Sequence, residues 1–376
     1  MHRFFENFYD WWKNIDKFIL FLISVLFFLG LFFSLVSTSL IASDKLDTNS
    51  YYFFIKHLIF IGLGALILFF LSILKEEILI KISLAFFFIT LVFLLMVPFV
   101  GIEVKGSKRW LDLGFFTLQS SEIIKIALPI FLSAYLYDKA LPIRIFNTFI
   151  TLLIIFIIVN FVRIQPDLGT SLVILIAGLY ILFLAGLSWR FIGISSGIFI
   201  LSLPFIWKNF LEPFQRQRIF TLLDPNSDPF GSGWNITQSK IAIGSGGLQG
   251  KGYQMGSQSH LDFLPETETD FIFSVIAEEF GFIGVCILLS VFFFIILRCL
   301  YLALNARDRF CRLTIGGLSL IFVSTIFINL AMVIGIIPVV GMPLPFISKG
   351  GSSLLSFYIA FGIIISMASH KKLMQK

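Results

Sequence analysis

Charged residues and cysteines are both scarce in this chain, and each shortage excludes a class of protein. Asp, Glu, Lys and Arg make up 13% of the 376 residues, whereas hydrophobic residues make up 58%. The mean hydropathy is +0.97. Water-soluble domains have about 25% charged residues, so the composition predicts a protein that crosses a membrane many times.

The three cysteines and four histidines are too scattered for a disulfide framework or a His/Cys metal site. Cys286, Cys299 and Cys311 all fall on or after the eighth predicted membrane helix. The chain has no Walker loop, and its run GSGGLQGKG lies outside any strand–helix unit that would bind a dinucleotide. The net charge of +6 is spread over positions next to the predicted helices, which favours contact with anionic lipid over nucleic acid.

Ten apolar runs approach the ~20 residues needed to cross the bilayer core. They lie at residues 17–40, 53–74, 79–100, 119–137, 144–162, 168–186, 190–207, 271–303, 313–337 and 350–369. We expect an all-α polytopic membrane protein with ten transmembrane helices. A single membrane domain would cover residues 1–376, with seven helices in 17–206, a large extracytoplasmic loop in 207–270 and three helices in 271–369. The first run is too long for a cleaved signal peptide and is expected to be an anchor.

The distribution of cations orients these helices. Ten spans place both termini on one side, and that side would carry 15 Lys and Arg against 7 Asp and Glu. The positive-inside rule therefore predicts cytoplasmic termini and an external 207–270 loop. Lys105, Lys108, Arg109 and Arg163 would then lie in short outer loops, where an anionic ligand would explain them.

The segment GSKRWLDLGFFTLQSSEIIKIALP, residues 106–129, predicts a tight loop followed by a helix with two ionisable groups. Glu122 and Lys125 are three residues apart and share one helix face. They either belong to a polar site or form an ion pair that only fixes helix packing. The guanidinium of Arg109, next to Trp110, suits recognition of phosphate or pyrophosphate.

A second polar segment, VRIQPDLGTSL, carries Arg163 and Asp167 on either side of Pro166. The two charges could neutralise each other. Alternatively, Gln165 and Asp167 could line a cavity.

The predicted outer loop begins with QRQRIFTLLDPNSDPFGSGWNITQSK, in which Arg216 and Arg218 would lie near the outer surface. DPNSDP indicates consecutive turns. Residues 234–243 predict either a short amphipathic helix on the membrane, with Gln238 and Lys240 turned to water, or a folded plug.

The loop continues with six glycines between residues 244 and 256, which would allow sharp turns or a close approach to a ligand. The run ETETD then places Glu266, Glu268 and Asp270 at the mouth of the next helix. A flexible extracellular loop is the alternative interpretation.

The segment IIPVVGMPLPFISKGGSS, residues 336–353, has three prolines and three glycines between two apolar runs. Such composition predicts broken or re-entrant backbone, which a membrane protein tolerates where it is buried or lines a cavity. Lys349 would face anions there. A plain connecting loop is the alternative.

Taken together, these segments resemble the SEDS family (shape, elongation, division and sporulation), and its elongation branch more than its division branch. The matching segments are GSKRWLDLG with SEIIK, QPDLGTSLV, RIFTLLDPNSDPFGSGW, QSKIAIGSGG, GSQSHLDFLPETETDFIFSVIAEEFG and VVGMPLPFISKGGSS. They recur in family order over residues 106–353. QSKIAIGSGG and GSQSHLDFLPE favour the elongation branch.

The resemblance implies a peptidoglycan glycosyltransferase of the bacterial inner membrane that polymerises lipid II, a disaccharide-pentapeptide carried on undecaprenyl pyrophosphate. It implies a class B penicillin-binding transpeptidase as a partner, within a complex that contains MreB, MreC and MreD. Three alternatives stay open: a flippase for lipid-linked precursors, a division paralogue, and a non-catalytic scaffold of the cell-wall synthase.

The resemblance also assigns site residues. Asp270 matches the essential acidic residue of the family's TDFIF motif, and we expect it to be the general base. Arg109, Lys125 and Arg218 are expected to stabilise the departing pyrophosphate, and Glu122, Lys240 and Lys349 to complete the substrate-binding set. No nucleotide or dedicated metal site is expected, although Mg²⁺ or Mn²⁺ could help neutralise the pyrophosphate.

The chain departs from the family pattern at three positions within the matching segments. Ser120 replaces the usual proline before SE, Glu268 replaces the histidine two residues before Asp270, and Lys349 replaces the tyrosine of SYGGSS. None of these three replacements removes a carboxylate or a cation that matches the family pattern. Glu268 adds a like charge beside Asp270, which is expected to affect the pH optimum.

Overall fold

Each of the ten predicted apolar runs contains a helix in the computed structural model, which describes residues 9, 11–36, 52–104, 107–114, 116–224, 228, 231–261, 263–264 and 266–369. The helices are α1 Lys17–Val36, α2 Tyr52–Ile73, α3 Glu76–Val100, α4 Ser120–Leu136, α5 Ile145–Ile164, α6 Leu168–Leu184, α7 Trp189–Asn209, α8 Pro213–Leu223, α9 Ser232–Ser245, α10 Ser257–His260, α11 Ile272–Leu304, α12 Arg309–Ile334 and α13 Gly351–Ser369. Both termini, residues 37–40 and Gly106, for which we made predictions, lie outside the described residues.

Eight helices of the described residues are long and apolar enough to cross a membrane. The chain is therefore a multi-pass membrane protein. Among the ten helices of the predicted runs, α4 and α6 are the short ones, with 17 residues each. The count of ten spans stays a prediction.

Helices α12 and α13 form the centre of the helix bundle. Their most apolar stretches are 72% and 83% buried, whereas the corresponding stretch of α7 buries none of its residues. Phe322 of α12 packs edge-on against Phe361 of α13, with ring centroids 5.1 Å apart. Phe346, from the segment between the two helices, joins this cluster at 5.4 Å from Phe361. The connecting segment is thus part of the core.

A small antiparallel sheet stands where the sequence predicted a tight loop, so the all-α prediction is incomplete. Its strands are β1 Ile102–Val104, β2 Ser107–Asp112 and β3 Thr117–Gln119, in the order β1-β2-β3. Trp110 pairs with Ile102 on one side and with Gln119 on the other. Gly114 has a φ of 84°, which allows the turn between β2 and β3. The sheet therefore fixes Arg109 and Trp110 of β2 close to the start of α4, which follows β3 directly.

The predicted helix at 234–243 is present as α9, but it does not turn Gln238 to water. Gln238 is buried, whereas Lys240 is exposed. The reason is that α9 packs against α11 and α12: the hydroxyl of Ser239 is 2.7 Å from that of Ser274 and donates to the carbonyl of Val333 at 2.6 Å.

The glycine-rich loop after α9 inserts into α11. Helix α11 is broken at Gly281, whose φ is 63°. There the amides of Phe282 and Ile283 donate to the carbonyls of Gly247 and Leu248 at 2.9 and 3.1 Å. In return, the amides of residues 251 and 252 donate to the carbonyls of residues 278 and 279, both at 3.0 Å. The loop therefore supplies the hydrogen bonds that the helix has lost.

This insertion explains one of the glycines. A Cβ on Gly250 would lie 2.1 Å from the carbonyl oxygen of Glu279. The close approach predicted for this run is therefore an approach to protein backbone.

Buried carboxylates hold the same loop from the other side. Glu278 Oε1 accepts from Lys251 Nζ at 2.6 Å and from the amide of Gln258 at 3.1 Å. Glu279 Oε2 accepts from the amide of Gln254 at 2.9 Å. Glu278 thus has a structural role in tying the loop to α11.

The segment between α12 and α13 is non-helical and largely buried, as its prolines and glycines predicted. Gly335 and Gly341 have positive φ values of 77° and 69°. Asn329 of α12 donates to the carbonyl of Met342 at 2.6 Å, and Ser348 accepts from the amide of Leu344 at 2.7 Å. These bonds satisfy backbone groups that would otherwise be costly to bury.

Candidate functional site

A cavity of about 450 Å³ collects polar side chains from six segments that are distant in the sequence. Its lining includes Arg109 from β2, Glu122 from α4, Asp167 from the turn before α6, Arg218 from α8, Asp270 from the turn before α11 and Lys349 from the segment before α13. The structure thus brings together five of the seven site residues predicted from the sequence.

Asp270 lies on a stretch of backbone that is fixed at three consecutive carbonyl groups. The carbonyl of Glu268 accepts from the amide of Lys349 at 2.9 Å. The carbonyl of Thr269 accepts from Ser348 Oγ at 2.5 Å, and that of Asp270 from Asn329 Nδ2 at 2.9 Å. The backbone that carries the half-buried Asp270 carboxylate is therefore held in place by three hydrogen bonds.

A glycine in the neighbouring segment leaves space beside the Asp270 carboxylate. Gly341 faces Asp270, and a Cβ at Gly341 would lie 3.4 Å from Asp270 Oδ2. The positive φ of Gly341 also disfavours any side chain at this position.

Arg109 lines the cavity, and hydrogen bonds fix the end of its side chain. Its Nη2 donates to the carbonyl of Pro166 at 2.6 Å and to Ser107 Oγ at 3.1 Å. Its Nε is buried and has no hydrogen-bond partner among the described residues. This buried donor is therefore left unsatisfied by the described residues.

Asp167 caps α6 and anchors the cavity wall. Its Oδ1 accepts from the amide of Thr170 at 3.1 Å, and its Oδ2 accepts from Gln119 Nε2 at 2.9 Å. Burial raises the pKa of Asp167, while the charge of Arg109 and the Thr170 hydrogen bonds oppose that rise. Asp167 is thus held between strand β3, α6 and Arg109.

A second guanidinium converges on the same point. Arg218 Nη1 donates to the carbonyl of Val339 at 2.9 Å. Burial lowers the pKa of Arg218, and the positive charge of Arg109 lowers it further. Two cations that repel each other beside one cavity favour the binding of an anion between them.

Lys349 also lines the cavity, but its charge is paired. Its Nζ lies 2.8 Å from Glu268 Oε2. Burial lowers the pKa of Lys349, and Glu268 opposes this effect. Lys349 further borders a second, smaller cavity of about 180 Å³, which Lys56 and His57 also line.

Lys125 does not reach the cavity. Its side chain is 1% exposed, lies 2.5 Å from Glu122 Oε2 and is 4.8 Å from the ring centroid of Phe357. Glu122 faces the cavity with Lys125 behind it. Glu122 and Lys125 thus form an ion pair, and one of its two members, Glu122, lines the cavity.

Other predicted contacts also differ from the structure. Lys240 lies outside the cavity lining, over Gly335 at the end of α12. Arg163 stacks on Phe210 at 5.1 Å instead of neutralising Asp167. Gln165 is buried and donates to the carbonyl of Leu94, away from the cavity.

Asn329, which was not among the predicted site residues, donates to the carbonyls of both Asp270 and Met342. The available signal was a lone amide inside an apolar run, since a polar residue at membrane depth normally has a specific partner. No cluster of His, Cys, Asp or Glu that could hold a metal ion occurs among the residues that the structure describes.

Solved structures of two related proteins share this fold. One belongs to a study of how a peptidoglycan synthase complex coordinates polymerization and crosslinking. It has a TM-score of 0.79 at 29% identity and covers 96% of this chain and 99% of the other. The rod shape determining protein RodA of Thermus thermophilus has a TM-score of 0.70 at 26% identity, over 97% of this chain and 99% of the other.

Sequence comparison gives the same result. The chain is 47% identical to the peptidoglycan glycosyltransferase MrdB of Escherichia coli over 290 residues, which covers 77% of this chain and 78% of that protein. It is 31% identical to the probable peptidoglycan glycosyltransferase FtsW of Haemophilus influenzae, over 97% of this chain and 95% of that protein. The profile of the FtsW/RodA/SpoVE family, described as "Cell cycle protein", matches residues 16–373. The chain therefore belongs to the FtsW/RodA/SpoVE, or SEDS, family.

Proposed function

We propose that this chain is the peptidoglycan glycosyltransferase of cell elongation, which joins lipid II units into β-1,4 glycan strands and releases undecaprenyl pyrophosphate. The observation that carries this proposal is the convergence of two guanidinium groups, Arg109 and Arg218, with the carboxylate of Asp270 on a cavity that Glu122, Asp167 and Glu266 also line. Displacement of a pyrophosphate from an anomeric carbon by a sugar hydroxyl needs a base and phosphate-binding cations.

In the proposed reaction, Asp270 accepts the proton of the 4-OH of the acceptor N-acetylglucosamine. The oxygen electron pair forms the new bond to C1 of the donor N-acetylmuramic acid, and the bond between C1 and the pyrophosphate oxygen breaks, with its electron pair going to that oxygen. A single displacement inverts C1, so an α-linked donor gives a β-1,4 product. Arg109 and Arg218 stabilise the negative charge that develops on the leaving pyrophosphate.

The remaining residues support this arrangement. Glu122 faces the cavity, and Lys125 balances its charge from behind, so we assign Lys125 a supporting role. Lys240 is not part of the cavity lining, so we assign it no contact with the reacting sugars. The free energy for the reaction comes from the lipid pyrophosphate, and a divalent cation such as Mg²⁺ or Mn²⁺ would be bound mainly by that group.

We place the chain in the bacterial inner membrane with ten spans and both termini in the cytoplasm. The chain itself offers no extramembrane segment for peptide crosslinking among the described residues, so we infer a class B penicillin-binding transpeptidase as its partner. The related complex that couples polymerization and crosslinking supports this inference. MreB, MreC and MreD would guide the complex during elongation.

The test of this function is the incubation of the purified chain with lipid II alone. We expect glycan polymer on a gel. A flippase or a scaffold would give no polymer, and transport of lipid II without polymer would identify the flippase.

Replacing Arg109 with Lys is expected to lower the polymerisation rate about 10- to 100-fold. Lysine keeps the charge but loses the planar fork that binds both Pro166 and a phosphate. The matched control is Arg216→Lys: Arg216 lies on the same helix as Arg218, but it bonds the carbonyls of Leu211 and Lys208 outside the cavity. Equal rates in both variants would remove Arg109 from the pyrophosphate site.

The orientation of the chain is testable with single cysteines. In a chain without its natural cysteines, Met255→Cys should react with an impermeant maleimide in intact spheroplasts, because residue 255 is 71% exposed in the predicted external segment. Leu304→Cys, at the other end of α11 and 78% exposed, should react only after lysis. The reverse pattern would overturn the orientation.

A further inference from the structure

We propose that Glu268 and Lys349 form an ion pair that positions the backbone of Asp270, and that the site requires the pair and not the Lys349 cation by itself. The inference rests on the proposed function of Asp270 as the base. Both residues would be positioning residues that act through Asp270.

Glu268 and Lys349 contact each other through both backbone and side chain. Lys349 Nζ is 2.8 Å from Glu268 Oε2, and the amide of Lys349 donates to the carbonyl of Glu268 at 2.9 Å. The two side chains are only 19% and 17% exposed, so solvent screens the pair weakly. Removal of one partner leaves the other charge poorly solvated.

The pair belongs to the first of three successive residues, ending at Asp270, whose backbone is held by the segment before α13 or by α12. Glu268, Thr269 and Asp270 each offer a carbonyl that is bonded by Lys349, Ser348 or Asn329. The ion pair is the charged member of this series and lies two residues before Asp270. Its loss is therefore expected to loosen the turn that carries the carboxylate, and a misplacement of about 1 Å can cost about 100-fold in rate.

The same geometry argues against Lys349 as an independent pyrophosphate ligand. A phosphate would have to compete with a carboxylate that already contacts the ammonium at 2.8 Å. Arg109 and Arg218 donate instead to the carbonyls of Pro166 and Val339.

The two positions are also two of the three at which the chain departs from the family pattern. These two residues are 81 positions apart in the sequence, and their side chains are in contact.

A double-substitution cycle on the full chain tests the proposal, with lipid II polymerisation as the readout. Glu268→Gln and Lys349→Met are each expected to lower kcat about 10- to 100-fold, with a smaller change in KM. The combined Glu268→Gln/Lys349→Met chain should recover most of this loss. So should Glu268→His/Lys349→Tyr, which restores the residues of the family pattern.

A pyrophosphate ligand would behave differently. Lys349→Met would then raise KM and stay impaired whether or not Glu268 is also replaced, and that result would overturn the proposal. Wild-type rates in both single variants would overturn it as well. If a single variant fails to fold, the Glu268→His/Lys349→Tyr chain decides: activity near wild type supports the pair, and its loss contradicts it.

A failure of the proposed function would be visible separately. Asp270→Asn made in the natural chain and in the Glu268→His/Lys349→Tyr chain should be inactive in both. If it polymerises lipid II normally, the role of Asp270 is wrong. Non-additive thermal unfolding temperatures of the four chains of the cycle would still report whether Glu268 and Lys349 are coupled.

Discussion

Replacing Asp270 with Asn is expected to lower the rate of lipid II polymerisation about 10²- to 10⁴-fold, because the substitution removes the general base and preserves the shape of the side chain. The hydrogen bond from Asn329 reaches the backbone carbonyl of residue 270 and is retained. The variant should therefore insert in the membrane and unfold at nearly the natural temperature. Polymer formed per minute, measured on gels, checks the prediction.

Glu278→Gln is the matched control, since Glu278 is a second carboxylate eight residues further along the chain. It is fully buried and holds Lys251 and the amide of Gln258. Its replacement should lower the thermal stability, while the folded fraction still polymerises lipid II. If Asp270→Asn polymerises normally and Glu278→Gln is inactive, we have chosen the wrong carboxylate. Normal activity in both variants would argue against the catalytic mechanism.

Replacing Gly250 with Ala is expected to have the largest effect on stability. Gly250 has a φ of 80°, which costs a residue with a Cβ about 1–2 kcal/mol. The new Cβ would also lie 2.1 Å from the carbonyl oxygen of Glu279, so the backbone of α11 or of the loop would have to move. We expect a clear fall in the unfolding temperature of the purified protein and a loss of polymerisation.

The control for this prediction lies six residues earlier, in the last turn of α9. Gly244→Ala places a Cβ in open space, with no heavy atom within 4 Å, and its backbone needs no positive φ. Alanine also favours the helical conformation that residue 244 adopts at the end of α9. Equal unfolding temperatures for Gly244→Ala and Gly250→Ala would contradict the described insertion of the loop into α11.

The sequence predicted the helices well because a membrane span is a local property. About 20 apolar residues in a row are sufficient to specify one, and no distant contact is needed. The cavity residues Arg109, Arg218 and Asp270 could be proposed because they lie in polar segments with a strong family resemblance. Their meeting in one cavity was not predictable from spacing, since each lies on a different element.

Two differences from expectation have one physical cause, which is burial by distant segments. Gln238 was expected in water on the polar face of an amphipathic helix, yet α11 and α12 cover it. Lys125 was expected to meet the substrate, but only the packing of α13 shows that it faces Phe357. Strands β1 and β3 have three residues each, which is too short for a visible alternation.

The exchange of hydrogen bonds at Gly281 joins the glycine-rich loop and the first part of α11 into one rigid unit. That part of the helix begins at residue 272, directly after the proposed base, and is joined to the loop through residues 247–252. A partner protein that displaced this loop would therefore displace the base as well. The same coupling means that an epitope tag or crosslinker inserted at 247–252 would report on the active site and could not serve as a neutral label.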